Sequence, residues 1–375
     1  MKEGWEIKTI GDVCYSESSN VSQNKLENNE GIYPIYGASG LIKNVDFFHQ
    51  SKPYLSIVKD GSGFGRITKM DAYSSVIGTL QYIIPKENVD LDYLNYSLMS
   101  VDFKKYVSGA AIPHIYFKDY KNEPFLLIHL SEQQRIVSIL DESFAAINKA
   151  KANAEQNLKN ARELFESYLQ GVFENGGWEF VKLSDMANEI SDGDHMPPPK
   201  SEFGIPFITI SNINKKTYKI DFSNTYKVPQ DYYDGLKQNK KPIIGDLLYT
   251  VTGSYGIPVL IESDNNFCFQ RHIGLIRPSE KLNSKLLFYW ILSPQAISQA
   301  NETATGTAQK TVSLKSLRNF SFPNIPINEQ KAIVNKLDSL RTETQKLESI
   351  YQKKIADLEE LKKSLLEKAF RGEIV

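Results

Sequence analysis

The stretch Glu132–Val137, which reads EQQRIV, returns as EQKAIV in Glu329–Val334. An aspartate follows each stretch at the same distance, Asp141 in the first case and Asp338 in the second. A long helical pattern begins at both places, and the two places lie 197 residues apart. A repeat of this length indicates two copies of one supersecondary arrangement within the chain.

A second repeat lies upstream of each of these stretches. Trp5–Val13 reads WEIKTIGDV, and Trp178–Met186 reads WEFVKLSDM, which is an offset of 173 residues. Since the other pair is offset by 197, the second copy is 24 residues longer somewhere in its middle. Duplicated chains tend to place their halves about a pseudo-two-fold axis, an arrangement that suits a partner with two-fold character, such as duplex DNA.

The pattern behind each EQ stretch predicts one long helix. It runs over residues 131–173 in the first copy and 328–370 in the second, with apolar residues at steps of three and four; Lys151 interrupts the first seam. About 40 helical residues span about 60 Å. A single apolar stripe of that length cannot be buried alone, so we expect the two helices to pair, antiparallel to each other. The alternative is that each helix packs only on its own front segment.

The two front segments, residues 1–130 and 178–327, alternate short β-rich runs with turns. Tyr54–Val58 and Pro206–Ile210 are examples of such runs. Of the 24 extra residues, 20 precede Pro278, because that residue aligns with Pro85 at an offset of 193. The two front segments are similar at their beginnings and ends and differ in their central parts. This pattern indicates one α+β scaffold that carries two different recognition surfaces.

Composition limits the class of protein. The 375 residues are 41% hydrophobic and 24% charged, with no apolar run of membrane-spanning length and no signal-like N-terminus. The two cysteines, Cys14 and Cys268, provide neither a disulfide framework nor a zinc set and indicate core thiols in a reducing cytoplasm. A net charge of −1 argues mildly against a nucleic-acid binder, so any DNA-binding face would have to gather the positive charge locally.

Catalytic motifs do not emerge from the sequence. Gly61–Gly65 is glycine-rich, but Arg66 replaces the last glycine of a dinucleotide fingerprint and no helical pattern follows. No P-loop and no metal-spaced set of histidines and cysteines is found, so no metal site is predicted. Asp192–His195 (DGDH) leaves three alternatives open: a metal site, a plain turn, or a ligand-contacting loop followed by the exposed run Met196–Pro199.

Several polar loops combine small residues, hydroxyl groups, aromatic rings and cations, which are the groups that contact phosphates and base edges. For each loop the alternative is an ordinary turn or solvated surface; for Asn212 it is a turn cap. Gly306–Lys310 aligns with Gly109–Pro113, so the alternative for this loop is that it belongs to the shared scaffold of the two copies. The candidates for DNA contact are Tyr36, Ser39, Lys59, Ser62, Phe64, Arg66, His195, Ser211, Asn212, Lys215, Thr252, Ser254, Tyr255, Arg271, Gln309 and Lys310.

Taken together, these motifs give the chain a family resemblance. The paired helix starts carry it most strongly, supported by the two Trp-Glu openings and by Pro34–Gly37, Ile190–His195, Ile205–Ile208 and Gly245–Asp246. No single motif is specific, but their tandem order over nearly the whole chain is. The chain resembles the specificity subunit of Type I restriction–modification systems.

The resemblance implies a domain organisation. Residues 1–130 and 178–327 would be two similar mixed α/β target recognition domains. Residues 131–177 would be a central spacer helix and linker, and 328–375 a distal spacer helix, the two packed as an antiparallel coiled coil. Each domain would read one half of a bipartite DNA target, and the helices would set the gap between the halves. The chain itself would be non-catalytic.

The resemblance also implies partners. Two modification subunits would dock on the helices, bind S-adenosylmethionine, flip a target adenine and methylate it; an ATP-dependent restriction subunit is a further expected partner. This chain would hold no cofactor, contact no membrane and act in the cytoplasm on double-stranded DNA. Two other hypotheses stand beside this one: a coiled-coil protein-interaction scaffold without DNA readout, and an enzyme with a site between the fronts.

Overall fold

The computed structural model describes residues 5–109, 111–195 and 197–373. Ala110 and Met196, which belong to two of the loops considered above, lie outside the described residues, as do the ends of the first and last predicted segments. Contacts divide the chain into two compact units: Met1–Glu155 with Gln352–Val375, and Gln156–Tyr351. No helix among the described residues is both long and apolar enough to cross a membrane.

Two long helices confirm the helical prediction. The central helix runs over Leu130–Glu174 and the distal helix over Ile327–Phe370. Each unit contains one part of each helix.

In the first unit the two helix segments pair along an apolar seam. Ile136 and Leu140 of the central helix lie in the same buried cluster as Leu366 and Ala369 of the distal helix. Further along, Phe144 faces Lys362 and Lys151 pairs with Glu359, so residue numbers rise on one helix as they fall on the other. The helices are therefore antiparallel here, and the lysine that interrupts the predicted seam forms an ion pair across it.

The second unit repeats this pairing. Arg162 of the central helix meets Glu348 of the distal helix at 3.0 Å. Leu169 and Phe173 share a buried cluster with Val334 and Leu337. The antiparallel prediction is thus confirmed within each unit, and the long helices also pack on the front domains, so the alternative of packing on a front alone is wrong.

The described residues of the first front form three sheets. Their strands are Glu6–Thr9 with Pro124–Leu127; then Cys14–Ser18, Leu80–Pro85, Tyr54–Val58 and Ile67–Met70 in that spatial order; and Gly40–Val45, Tyr33–Gly37 and Ser75–Val76. Its short helices are Ile10–Val13, Leu91–Met99 and Phe117–Tyr120, with 3₁₀ turns at Gln23–Leu26 and Phe103–Tyr106. The last strand pairs parallel to its neighbour, and all other pairs are antiparallel.

The second front has the same three sheets in the same order. Their strands are Phe180–Lys182 with Ser321–Pro323; Ala187–Asp192, Ile273–Pro278, Leu247–Thr250 and Pro258–Leu260; and Tyr226–Val228, Ile205–Ile208 and Cys268–Phe269. Its helices are Leu183–Met186, Gln230–Gly235, Ser284–Ile291, Pro294–Thr303 and Leu314–Arg318, with 3₁₀ turns at Ile210–Asn212 and Gln238–Lys240. The duplication predicted from sequence is therefore a duplication of topology.

The extra residues of the second copy form defined additions. A hairpin of Ile213–Asn214 and Lys219–Ile220 is inserted in the sequence between the paired strands Ile205–Ile208 and Tyr226–Val228. The equivalent strands of the first copy are joined by a tight turn. The helix Gln230–Gly235 follows, and the helix Pro294–Thr303 replaces the 3₁₀ turn Phe103–Tyr106. All of these additions change the surface and leave the sheets intact.

The repeated tryptophans also have a structural reason. The indole of Trp178 donates a hydrogen bond to the carbonyl oxygen of Val172, at the end of the central helix, at 2.8 Å. In the other unit Trp5 lies against Gly372, at the end of the distal helix, and a Cβ on that glycine would come within 2.3 Å of the ring. Each front domain thus begins by packing its tryptophan on the end of a long helix.

Candidate nucleic-acid interface

A buried glutamine joins each front domain to the start of a long helix. Gln133 accepts a hydrogen bond from the backbone of Asp90 at 2.8 Å and donates to the carbonyls of Asn88 and Ile128 at 2.9 and 2.8 Å. Gln330 makes the same three contacts, from Asn283 and to Lys281 and Ile325, at 2.7, 2.8 and 2.8 Å. These two glutamines belong to the repeated EQ stretch, and neither has any exposed surface.

The aspartate of each repeat makes a second link. Tyr96 donates to Asp141 in the first unit, and Tyr289 donates to Asp338 in the second at 2.6 Å. Burial, together with this carboxylate, raises the pKa of both tyrosines, so both hydroxyls stay protonated donors. The strongest sequence motif therefore fixes the orientation of each front domain on its helix.

A frame of backbone hydrogen bonds supports the polar loops in both copies. In the first front, the amide of Gly61 donates to the carbonyl of Pro113 at 2.9 Å, and the amide of Lys59 donates to Thr79 at 3.0 Å. In the second, Gly253 donates to Lys310 at 2.9 Å, and Val251 donates to His272 at 3.0 Å. Three chain segments that are distant in sequence are thereby brought side by side in each front.

One loop of this frame is closed by an equivalent backbone pair in both copies, and we call its two versions the tip loops, residues 108–114 (Ala110 lies outside the described residues) and 305–311. Ser108 and His114 exchange two backbone hydrogen bonds at 2.8 Å, and Thr305 and Thr311 exchange two at 3.0 and 2.8 Å. The side chains beneath the loops differ. His114 pairs with Asp60 at 2.7 Å, whereas the Thr311 hydroxyl lies 3.3 Å from that of Thr252.

Most candidates of the first front lie on one hairpin loop between Tyr54–Val58 and Ile67–Met70. Ser62 and Arg66 are exposed there, while Lys59 is half-buried at its start. Phe64 packs against the domain core, so its ring is only partly available. Gly65, in a left-handed conformation with φ 79°, lets the loop pass close to the ring of Phe103.

The other two candidates of this front lie on the hairpin between Tyr33–Gly37 and Gly40–Val45. Ser39 is exposed at the turn and Tyr36 is half-buried. The carbonyl of Tyr36 accepts a hydrogen bond from Ile77, which ties this hairpin to the strand that leads back to the loop frame.

In the second front, three predicted residues line one cleft. Thr252, Arg271 and Gln309 come from three different loops, and Asp192 and His272 are among the other residues that line the cleft. The Nδ1 atom of His272 lies 3.2 Å from the Thr252 hydroxyl. Arg271 forms no ion pair with another described residue, so its guanidinium is available to a ligand.

The loop Asp192–His195 borders this cleft, but its two carboxylates point to different partners. Asp192 pairs with His195 at 2.8 Å, while Asp194 accepts hydrogen bonds from Lys240, at 3.3 Å, and from Tyr232. Burial, and then the neighbouring carboxylate, raises the pKa of Tyr232. Within the described part of the chain no three acidic, histidine or cysteine side chains gather around one point as metal ligands would.

The additional hairpin of the second front carries Lys215 at its exposed tip. Asn214 holds the turn by accepting hydrogen bonds from the backbones of Lys216 and Thr217 at 2.9 and 3.1 Å. Just before it, Ser211 is exposed, whereas Asn212 is only 6% exposed.

The contacts of Asn212 match the turn-cap alternative. Its side-chain oxygen accepts from the Thr209 backbone at 2.9 Å, and its nitrogen donates to the carbonyl of Asn224 at 3.0 Å.

The remaining candidates surround the loop frame. Ser254 and Lys310 are exposed. Tyr255 turns its hydroxyl towards the helix Pro294–Thr303, where it donates to Asn301 at 2.8 Å.

Two residues near the cleft were not singled out by the sequence analysis as candidates for DNA contact: His272 and Tyr232. His272 directly follows Arg271, but an isolated histidine carries no signal. Tyr232 acts through Asp194, and no spacing in the sequence connects positions separated by 38 residues.

The fold is that of known specificity subunits. A chain from a structure on complex assembly and conformational transition of the type I restriction–modification system matches with a TM-score of 0.75 and 19% identity, covering 100% of this chain and 99% of that one. The crystal structure of the HsdS subunit from Thermoanaerobacter tengcongensis matches with a TM-score of 0.62 and 18% identity, over 100% and 98%.

Sequence comparison establishes the family. The family model of the Type I restriction modification DNA specificity domain matches residues 2–157 and again 175–357, so this chain belongs to that family and carries its domain twice. The chain is 25% identical to the Type I restriction enzyme MjaVIII specificity subunit of Methanocaldococcus jannaschii, over 99% of this chain and 93% of that protein.

A relative from Escherichia coli agrees with this assignment. The EcoDI specificity subunit is 21% identical over 99% of this chain and 88% of that protein. The chain is therefore a DNA specificity subunit, and the hypothesis of a scaffold without DNA readout is not supported.

Proposed function

We propose that each front domain reads one half of a split, asymmetric DNA target, and that the paired long helices set the gap between the halves. The reading domains would span residues 1–130 and 178–327, and the spacers 131–177 and 328–375. The observation that carries this proposal is the shared loop frame: one backbone arrangement presents different side chains in the two fronts. Equivalent surfaces with different chemistry suit two half-targets of different sequence.

The residues proposed to contact DNA are exposed and half-buried groups around the two frames. Arg271, Gln309 and Thr252 converge on one cleft, and an arginine there suits the guanine O6 and N7 acceptors. Asn212 is assigned a positioning role for Ser211, because its amide is engaged within the domain. The full proposed set is Tyr36, Ser39, Lys59, Ser62, Phe64, Arg66, His195, Ser211, Lys215, Thr252, Ser254, Tyr255, Arg271, Gln309 and Lys310.

The chain would select the DNA sequence and fix the spacing of the complex, and its partner subunits would carry out catalysis. Two modification subunits would bind S-adenosylmethionine and methylate an adenine, and an ATP-dependent restriction subunit would join them. No catalytic residue is assigned to this chain. Because the net charge is only −1, part of the phosphate contact is assigned to the partner subunits. The complex would act in the cytoplasm, where its DNA is found.

Front exchange tests the proposal. Residues 1–130 would be replaced by the front of another specificity subunit, the chain co-expressed with its modification subunit, and methylated adenines mapped by sequencing. We expect one half of the methylated target to change while the other half and the gap stay the same. The matched control exchanges residues 178–327 and should change the other half. Methylation of an unchanged target after either exchange would refute the proposal.

A second experiment tests the spacing. One heptad inserted into both helices, after Glu155 and after Tyr351, lengthens the pair by about 10 Å. The gap in the methylated target should then grow by about three base pairs. A heptad in only one helix serves as the control, since it shifts the seam out of register and should abolish activity. An active double insertion with an unchanged gap would rule out the spacer role.

A further inference from the structure

The two tip loops are built alike, yet they present opposite chemistry. Both turn at a glycine in a left-handed conformation, Gly109 with φ 90° and Gly306 with φ 111°. A Cβ on either glycine would lie 2.4 Å from a carbonyl oxygen three residues on, that of Ile112 or of Gln309. Each loop therefore depends on its glycine for the close turn, and Ile112 and Gln309 occupy equivalent places.

At this equivalent place the first front exposes a hydrocarbon side chain. Ile112 is 56% exposed, and the residue after it accepts the Gly61 hydrogen bond that holds the loop to the frame. One exposed isoleucine is ordinary on a protein surface. This one, however, is held at the position where the other front places Gln309 beside Arg271 and Thr252, in the proposed DNA cleft.

We propose that Ile112 is a specificity-determining residue that packs against the C5-methyl group of a thymine in the half-target of the first front. The thymine methyl is the apolar group among the base edges of the major groove, so it is the natural partner of an aliphatic side chain there. Gln309 occupies the same place in the second front and contacts its half-target by hydrogen bonds. This inference rests on the proposed function, because it assumes that the frames face DNA.

Methyl deletion in the DNA tests the contact directly. The complex of this chain with its modification subunit would methylate duplexes in which each thymine of the first half-target is replaced in turn by deoxyuridine. We expect one position at which the replacement lowers kcat/KM about fourfold, the effect of losing one buried methyl group. In the Ile112→Ala variant the same replacement should have no effect at that position. The Gln309→Ala variant is the matched control and should keep the wild-type sensitivity.

The outcomes separate the contact from the general function. If no deoxyuridine position affects the wild-type complex, or if Ile112→Ala remains equally sensitive, the thymine contact is refuted. Front exchange would still move the half-target in that case, so the proposed function would survive. If front exchange also fails, the proposed function itself is wrong. A thermal unfolding midpoint of Ile112→Ala equal to that of the wild type shows that the variant is folded.

Discussion

The two front domains share three sheets and differ in what surrounds these sheets. The glutamine anchors, the tyrosine–aspartate links and the backbone frame occur in both copies with nearly equal distances. The additional hairpin and the helix Pro294–Thr303 occur only in the second front. The tip loops occur in both fronts but carry different side chains. Interactions that fix a domain on its helix are thus duplicated, and surfaces that can face a ligand have diverged.

Even a diverged contact keeps its physical type at the junction with the helices. In the first unit the ring of Phe144 packs on Tyr96, and Lys362 lies 4.9 Å above that ring. In the second unit Phe165 comes from the central helix, and Arg341 of the distal helix lies over Tyr289. The cation lies on the distal helix in both units. The aromatic residue lies on the central helix in both, with Phe144 nearer the beginning of that helix and Phe165 nearer its end.

The largest expected difference between the units concerns a buried ion pair of the second front. Asp246, only 1% exposed, accepts two hydrogen bonds from Arg277 at 2.8 and 2.7 Å and one from the backbone of Ile243. Ile84 holds the equivalent place of Arg277 in the first front, next to Pro85. Asp246→Ala should lower the free energy of unfolding of the second unit by about 3 kcal/mol, because it leaves a mostly buried guanidinium unpaired.

Urea unfolding with hydrogen exchange would measure this loss and assign it to one unit. The double variant Asp246→Ala, Arg277→Met should recover part of the loss, since an apolar side chain needs no partner. A loss below about 1 kcal/mol, or a loss of protection in the first unit, would contradict the expected role of the pair.

The glutamine anchors should show equality between the units. Gln133→Ala and Gln330→Ala each remove the side-chain partner of three backbone groups, one of them buried and two partly buried, and each should cost about 3 kcal/mol. The neighbouring Gln134→Ala and Lys331→Ala are matched controls at exposed positions and should change stability by less than about 0.5 kcal/mol. Urea titration compares all four variants. Unequal losses at Gln133 and Gln330 would show that the repeated motif acts differently in the two copies.

These anchors also show how far the sequence could predict the fold. Periodicity predicts the long helices because one apolar stripe must be buried, and the repeat predicts the duplication of topology. The role of Gln133 was not predictable, because its partners Asn88 and Ile128 are backbone groups that any residue could supply. The apolar seam in the sequence predicts that the helix segments pair, but it does not predict which residues form the ion pairs between the helices.

The candidate site was predictable only in part. Thr252, Arg271 and Gln309 were proposed from separate loops, and their convergence depends on the antiparallel pairing of Leu247–Thr250 with Ile273–Pro278 and on the backbone bridge between Thr252 and Thr311. No local pattern encodes such a bridge, since it joins residues 59 positions apart. For Asn212 the sequence left two interpretations open, base contact and turn capping. The structure shows the side chain buried and engaged in the capping contacts.

A smaller effect is expected at the helix junctions, and it should differ between the units. The guanidinium of Arg341 lies 5.3, 5.0 and 5.9 Å from the rings of Tyr218, Phe288 and Tyr289. Lys362 lies over the single ring of Phe144. Arg341→Ala should therefore cost about 1.5 kcal/mol and Lys362→Ala about 0.5 kcal/mol. Thermal unfolding and hydrogen exchange of the hairpin that contains Tyr218 would check this. Equal losses would mean that the stacking on three rings adds nothing.

The smallest effect concerns the repeated turn after each tryptophan and depends on pH. In the first copy, Asp12 accepts hydrogen bonds from the Thr9 backbone and hydroxyl, both at 2.8 Å, and these lower the pKa of Asp12 below its usual 3.8. Lys182 occupies the equivalent cap position in the second copy and makes no such side-chain bond.

A lowered pKa in the folded state means that this cap stabilises the first front at neutral pH, and that its contribution is lost as the pH falls through the lowered value. Thr9→Val removes the hydroxyl and should raise the pKa of Asp12 towards 3.8 in an NMR titration of its carboxyl group. The acid limb of the stability profile should flatten with it. Lys182→Thr in the second copy is the converse change: its hydroxyl should accept a hydrogen bond from the backbone of Asp185 and slow hydrogen exchange of that amide, and unchanged exchange would show that the hydroxyl alone does not create the cap.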